Sequence, residues 1–406
     1  MHLLLLTPQF PYPPHQGATL RNFHLLRGLA VRHTVDLFSL LAPDDDPTAG
    51  PVREWVRLVV TAPQPRRTAR QRLRNLLTSP LPDMALRLWN PAAMAVLEDY
   101  LSRHRPDLIQ VQGLEMAHYA LNLFRRIERP PVVYDAYNVE AILQERAFLA
   151  DLRRPQRWPA AAYSAVQTLK LRRYEHRFVR MVTALTAVSA VDAALLRALA
   201  PDKPLAIVSN GVDMAAYDPD AAYPNPYPSP GPHLVFTGKM DFRPNVDAAL
   251  WFAEKVLPRL QAAGWQAHFW VVGRSPHPRL ERLRGRPDVT LTGAVPDVRP
   301  YLAHADLFVA PLLAGGGTRL KLLEAMAMAR PIVSTRIGAE GFPVCDGQEM
   351  ALADTAAEFA ARCAQLLSHP DEAAALGRRG RSLAAHYDWG RIVPALEGLY
   401  QELGLI

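Results

Sequence analysis

Cysteine is nearly absent from this chain of 406 residues: it has two, Cys345 and Cys363, in no metal or redox spacing. A reducing, cytoplasmic setting is therefore the expectation. Lysine is also scarce, five among 46 basic positions, so each lysine is worth locating. No apolar run reaches the ~18 residues that a membrane-crossing helix needs. The longest candidate, 181–191, is far shorter. The opening MHLLLLTPQFPYPP has neither the charged start nor the full apolar core of a signal peptide. No G-x-G-x-x-G follows the first apolar run, which argues against a dinucleotide-dependent dehydrogenase. Disorder is not the reading either, because 49% of residues are hydrophobic and 21% charged.

What is present is an uneven charge and an alternating pattern. The net charge is +7, with a balance of +8 over residues 1–213 and −1 over residues 214–406. Short apolar runs at 2–6, 34–40, 108–112, 132–135, 184–189 and 206–209 read as strands. Helical patterns at 20–31, 91–104, 116–126 and 159–182 lie between them. Such alternation predicts a parallel sheet with helices on both faces. Residues 218–232 hold six prolines in fifteen positions, so 214–232 is read as an interdomain linker. The pattern then restarts, with strands at 233–237, 267–273, 289–292, 307–311, 332–334 and 350–352. Helices are expected at 245–263, 278–285, 298–304, 319–329, 356–367 and 389–403. The expected domains are 1–213, 233–386 and a terminal helix in 387–406. Two doubly wound α/β domains facing across a cleft would place ligands at the carboxyl ends of their strands.

The most informative stretch is LFVAPLLAGGGTRLKLLEAMAMARPIVST, which reads as strand, glycine loop, helix and strand. Gly315, Gly316 and Gly317 allow close backbone approach, and Thr318 is a natural N-cap for a helix starting at Arg319. The free amides of that first turn, at Thr318, Arg319 and Leu320, suit an anion such as a diphosphate. Lys321 and Glu324 are three residues apart and share a face. An ammonium there can meet phosphate oxygens while the carboxylate accepts from ribose hydroxyls. A bare glycine loop capping a helix with solvated charges has the same local pattern, and motif chemistry alone does not name the ligand.

GGGTRLKLLEAMAMARPIVST resembles the donor-site signature of retaining glycosyltransferases of family 4, which have the GT-B fold of two Rossmann-like domains. The resemblance continues through TPQFPYPPHQGATLRNFHLLRGLA, VYDAYNVE, AVSAVDAALL, IVSNGVD, VFTGKMDFRPNVDAALWFAEKVLPRL and DVTLTGAVPDVRPYLAHADLFVAPL, in the family's order. It implies that the second domain binds a nucleoside-diphosphate sugar and the first an acceptor, and that the terminal helix crosses back to the first domain. By the same resemblance Glu324 binds the nucleotide ribose. Lys239, after Gly238, stands at a diphosphate-binding position and Arg243 near a second one. Val295 holds the base through backbone groups, and Gly17 lies in the loop facing the donor. Two departures stand out. Gly316 occupies the place of the first glutamate of the family's spaced pair, which leaves backbone amides of Gly316, Gly317 and Thr318 to substitute. Tyr137 stands where the family has a histidine, and its hydroxyl donates a hydrogen bond but does not shuttle a proton near neutral pH.

The resemblance implies a saccharide or lipid-linked acceptor, retention of anomeric configuration, and a role in polysaccharide or glycoconjugate assembly. Lys239, Arg243 and Lys321, with the helix amides, would neutralise the departing diphosphate, so no metal or other cofactor is expected. Two alternatives remain open: a non-catalytic GT-B protein that binds a nucleotide or partners another glycosyltransferase, and a sugar-nucleotide epimerase of the same fold. Arg66, Arg67, Arg70, Arg72 and Arg74 lie within nine residues beside Leu73, Leu76 and Leu77, and Arg153, Arg154 and Arg157 precede Trp158. Cations beside apolar side chains suit an anionic membrane surface, giving a cytoplasmic protein a peripheral place on the inner face. Nothing in the chain resembles a base-reading module, so nucleic acid is not an expected partner.

Overall fold

The computed structural model describes residues 1–14, 17–125, 130–152, 155–314 and 319–406. The chain divides into two units, Met1–Ser209 with Ile392–Ile406, and Asn210–Arg391. Among the described residues of the first unit, seven strands form a parallel sheet. They are β1 (His2–Thr7), β2 (Thr34–Leu41), β3 (Leu58–Pro63), β4 (Leu108–Gln112), β5 (Val132–Ala136), β6 (Ala184–Ala187) and β7 (Leu205–Ile207). Their order is β3-β2-β1-β4-β5-β6-β7. The second unit has a six-stranded parallel sheet of β8 (His233–Thr237), β9 (His268–Val272), β10 (Val289–Gly293), β11 (Leu307–Ala310), β12 (Ile332–Ser334) and β13 (Ala351–Leu352), in the order β10-β9-β8-β11-β12-β13.

Both sheets are wound in the same way. The chain starts on a central strand, runs outward to one edge, then returns to the other side of that strand. The order reverses between β1 and β4 in one unit and between β8 and β11 in the other. Side chains on both faces of the central strands are buried, as doubly wound sheets require. Leu3, Leu4, Leu5 and Leu6 of β1 and Leu234, Val235 and Phe236 of β8 are all excluded from solvent. The expected α/β class of two Rossmann-like units is what the chain adopts.

Several boundaries differ from the pattern reading. Strand β3 was not anticipated, because it is a half-exposed edge strand whose short apolar run LVV gives little signal. The run at 184–189 ends as strand at Ala187, and Ser189 instead caps the next helix, its hydroxyl accepting from the Asp192 amide at 3.1 Å. The helix expected at 245–263 is built as Arg243–Trp251, a π turn at Phe252–Val256, and Leu257–Ala262. Pro258 has no amide hydrogen to bond the carbonyl four residues back, which accounts for the widened turn before it.

The segment 214–232, read as a linker, lies within the second unit. Proline prevents regular structure there, but two tyrosines anchor it. Tyr227 is buried, stacks on His233 with ring centroids 4.0 Å apart, and donates its hydroxyl to the Tyr301 carbonyl at 2.6 Å. His304 Nε2 lies 2.8 Å from the Tyr223 carbonyl. The terminal helix, Trp389–Glu402, begins in the second unit and belongs to the first from Ile392. Within the first unit Glu397 pairs with Arg32 and lies 3.0 Å from His33, and Tyr400 donates to Gln110. A Cβ on Gly28 would sit 2.4 Å from Val393, so only glycine lets these two helices meet there.

Candidate functional site

In the second unit the switch point between β8 and β11 gathers the charged residues. Strand β8 ends at Thr237, and Gly238 follows with φ +152°, its amide donating to Val272 at 3.0 Å. A Cβ on the facing Gly273 would lie 1.7 Å from the Gly238 carbonyl, so the pair of glycines lets two backbones approach at the sheet edge. A Cβ on Gly238 itself would sit 2.7 Å from Lys321 Nζ and 2.7 Å from Asn245 Nδ2. Lys321 reaches that point from the Leu320–Ala327 helix. Its ammonium donates to Asn245 Oδ1 at 2.8 Å and lies 4.2 Å from the centre of the Phe236 ring. Asn245 Nδ2 in turn donates to the Lys239 carbonyl at 2.9 Å.

Glu324 is one turn further along the same helix and accepts from the Tyr217 hydroxyl. Burial pushes the Glu324 carboxyl up to about 7, with Tyr217 and Lys321 opposing. Burial also pulls the Lys321 ammonium down to about 7, helped by the positive charge of Arg319 and opposed by Glu324. Lys321 and Glu324 thus form a half-desolvated pair at a sheet edge, each near the point of changing its charge.

The other expected residues of this unit are placed as follows. The helix starts at Leu320 with Arg319 as N-cap, in extended backbone (φ −87°, ψ 93°) and without a side-chain cap. It therefore begins one residue later than expected. Gly315, Gly316, Gly317 and Thr318 lie outside the described residues, so the expected capping by Thr318 and the anion contacts of this loop do too. Lys239 is half-exposed and pairs with Asp241 at 3.2 Å. Arg243 Nε lies 3.6 Å from Asp247, which Arg279 also holds at 2.7 Å. Val295 and Leu320 are partly buried against the core that backs β11. The structure brings Lys321 to Gly238, with Glu324 on the same helix, and directs Arg243 to a carboxylate one turn along its own helix.

At the carboxyl edge of the first sheet, Gly17 opens the Gly17–Ala30 helix and is exposed. That helix carries Arg21 and Asn22 inward. Arg21 makes two bonds to Asp135 at the end of β5, 2.9 Å from Nε and 2.7 Å from Nη2, and both side chains are 1% exposed. Thr186 donates to the same carboxylate at 2.5 Å. Tyr137 follows two residues on and donates to Asn22 Oδ1 at 2.8 Å. Burial, with the nearby negative charge of Asp135, pushes its phenol well above the ordinary value, so it stays protonated as a donor. A Cβ on Gly113, whose φ is +76°, would lie 2.7 Å from the Tyr137 ring.

Residues 16–216 match the model for Glycosyltransferase Family 4, and residues 231–369 that for Glycosyl transferases group 1, together more than four-fifths of the chain. Both halves of the chain thus match families of glycosyltransferases. A phosphatidyl-myo-inositol mannosyltransferase of Mycolicibacterium smegmatis is 28% identical over 200 residues, 48% of this chain and 51% of that protein. The chain spans about half the length of the curated mannosyltransferases it matches. Among solved structures, sucrose-phosphate synthase of Thermosynechococcus elongatus superposes with TM-score 0.71 at 16% identity, over 100% of this chain and 99% of that one. HepE of Anabaena, solved in complex with UDP-glucose, gives TM-score 0.62 at 15% identity over 100% of each chain. These likenesses are of fold, and the fold is GT-B.

Asn245, Phe236 and Tyr217 were not singled out in the sequence. Asn245 had one usable signal, its place three residues into a proline-started helix directly after the Gly238–Lys239 turn. Tyr217 and Phe236 had none, because only tertiary packing sets them against Glu324 and Lys321. Arg21 and Asp135 were missed for the same reason, being far apart in sequence.

Proposed function

We propose that the protein transfers a sugar from a nucleoside-diphosphate sugar to a saccharide or lipid-linked acceptor, with retention of configuration, in polysaccharide or glycoconjugate assembly. The observation that carries this reading is the placement of Lys321 Nζ against Gly238 at the β8/β11 switch point, with Glu324 on the same helix. In this reading the second unit holds the donor. Glu324 accepts from the ribose hydroxyls, Val295 offers backbone groups to the base, the amides of Thr318, Arg319 and Leu320 serve the diphosphate, and those of Gly316, Gly317 and Thr318 replace the missing glutamate at the donor sugar. The first unit holds the acceptor, with Gly17 and Tyr137 as its proposed site residues. The anomeric C–O bond to phosphate breaks as the acceptor oxygen bonds to the same carbon, and the acceptor proton passes to the departing phosphate. That route needs no strong protein base, which suits a protonated Tyr137. Lys239, Lys321 and Arg243 neutralise the growing charge on the leaving group in place of a divalent metal.

Incubation with UDP-, GDP- and ADP-sugars, reading nucleotide release with and without acceptor, tests the reading. Acceptor-dependent release from one donor is expected. Release from none, with a nucleotide still bound, favours the non-catalytic alternative, and interconversion of the donor sugar favours an epimerase. Glu324→Ala should weaken nucleotide-sugar binding by roughly 1–3 kcal/mol through loss of a charged acceptor. Calorimetry giving unchanged affinity in a folded variant removes Glu324 from the site.

The inner face of an anionic membrane is the proposed working place. The Ala69–Thr78 helix has no buried residue, and it exposes Leu73 and Leu77, one turn apart, among Arg70, Arg72 and Arg74. Trp158 is also exposed. Arg67, counted in this cluster from sequence, is instead bonded to Asp83 at 2.8 Å and mostly buried, and Arg153 and Arg154 lie outside the described residues. No helix among the described residues is long and apolar enough to cross a membrane. Attraction of about 1 kcal/mol per basic residue near the lipid is expected, reduced by salt. Flotation with phosphatidylserine-containing liposomes should carry the protein at low salt, and Arg70→Glu, Arg72→Glu and Arg74→Glu together should abolish it. Wild-type protein that stays with the soluble fraction under those conditions rules the proposal out.

A further inference from the structure

Lys321 sits in an unusual setting for a cation. Among the described residues its two close partners are neutral, the Asn245 amide oxygen at 2.8 Å and the face of the Phe236 ring at 4.2 Å. On the Asn245 side, Asp241 pairs with Lys239 and Asp247 with Arg243 and Arg279, while Glu324 accepts from Tyr217 and favours the charged form of Lys321 from a distance. Asn245 is 6% exposed, and both ends of its amide are used, the oxygen on Lys321 and the nitrogen on the Lys239 carbonyl. One side chain therefore fixes the ammonium of one lysine and the backbone of the other. Among the described residues, Lys321 also meets Gly238, where a Cβ would be 2.7 Å from Nζ, and feels the charges of Arg319 and Glu324.

We infer that Asn245 is a positioning residue for the donor site, holding the Lys321 ammonium beside Gly238 without adding a counter-charge of its own, so that the ammonium stays available to an anion. The inference rests on the donor-site reading above and deepens it. A carboxylate at residue 245 would hold the ammonium equally well but would neutralise it and repel a diphosphate. An aliphatic side chain would leave the ammonium without its acceptor in a partly desolvated place, favouring the neutral amine. The amide does neither. Its neutrality leaves the Lys321 charge for the ligand, and burial already draws that ammonium down to about 7. A bound diphosphate should then complete the site by drawing a proton onto Lys321 from solvent.

The scarcity of lysine makes this directly readable. Protein labelled with 13C at lysine Cε gives five signals, assigned by Lys→Arg substitution, and the Lys321 signal is followed against pH. Asn245→Leu should lower its titration midpoint and Asn245→Asp should raise it, opposite shifts that a general loosening of the fold does not produce. Both variants should weaken UDP binding by about tenfold or more, the size of a lost hydrogen bond to a charged group. Asn245→Ser, which keeps a neutral acceptor, should recover part of that loss. UDP added to the wild type should move the Lys321 signal towards its charged form. A Lys321 midpoint unmoved in both folded variants overturns the inference. Opposite shifts of the midpoint, with no response of the wild-type signal to UDP, GDP or ADP, support the role of Asn245 and overturn the donor-site reading instead.

Discussion

Replacing Lys321 with alanine is expected to lower kcat for sugar transfer by about 10²–10³-fold, the range seen when one preorganised donor to a developing anion is removed. Binding of the uncharged nucleoside should be nearly unchanged. The physical reason is that the diphosphate gains charge as the anomeric bond breaks, and an ammonium fixed beside Gly238 is already in place when that happens. Losing an interaction that is stronger in the transition state than in the ground state lowers kcat, whereas losing one present equally in both raises KM alone. Lys239→Ala should cost less, because that side chain is half-exposed and paired with Asp241. The pH dependence gives a second reading. Burial draws Lys321 down to about 7 and Glu324 up to about 7. Lys321 loses its charge as pH rises through that value, and Glu324 loses its carboxylate as pH falls through it. kcat/KM should therefore decline on both sides of neutrality, with apparent values belonging to the pair. Lys321→Arg should remove the alkaline limb. Steady-state kinetics showing an equal loss for nucleoside binding and turnover in Lys321→Ala would contradict the assignment.

Arg21→Met should destabilise the first unit by about 3–5 kcal/mol, because it leaves the Asp135 carboxylate buried without its cation. Both side chains are 1% exposed and joined by two hydrogen bonds, so water does not screen or replace the pair. Thr186 donates one further bond to Asp135, and Arg21 reaches the Ser209 carbonyl at 3.0 Å, so the pair ties β5 and β6 to the Gly17–Ala30 helix and the end of the unit. Arg21→Met with Asp135→Leu should recover most of the loss, since replacing both charges by apolar groups removes the desolvation penalty together with the bond. Urea unfolding followed by fluorescence measures this. A loss below about 1 kcal/mol for Arg21→Met would place the pair among surface ion pairs in energetic terms, and that contradicts its burial.

The alternation of apolar runs and helical periods made both sheets legible, because central parallel strands are buried on two faces and stand out as continuous apolar runs. Edge positions were less so. Strand β3 carries one buried residue among half-exposed ones and went unread, whereas the two-residue edge strand β13 falls inside the expected 350–352. The Lys321–Glu324 pair was legible because both lie on one helix at a spacing that sequence displays. Its supports were not. Asn245 is 76 residues from Lys321, and Arg21 is 114 residues from Asp135. Such separations become contacts only once the topology is known. In the proline-rich segment composition spoke for an interdomain linker, and what it could not show is that the buried Tyr227, stacked on His233 and bonded to the Tyr301 carbonyl, packs part of it into the second unit.

The last fifteen residues have a consequence for how the protein is made. Glu397 and Tyr400 bond Arg32, His33 and Gln110, across 290 to 365 residues of chain. A ribosome extends a chain from its amino end, and domains generally fold as they emerge. Here the unit that emerges first is not complete when its own strands are out. It waits for all of Asn210–Arg391 to be synthesised before its final helix arrives. During that interval the apolar surface that Leu396, Leu399 and Tyr400 will cover is open, so completion of the first unit depends on synthesis continuing through Ile392–Ile406.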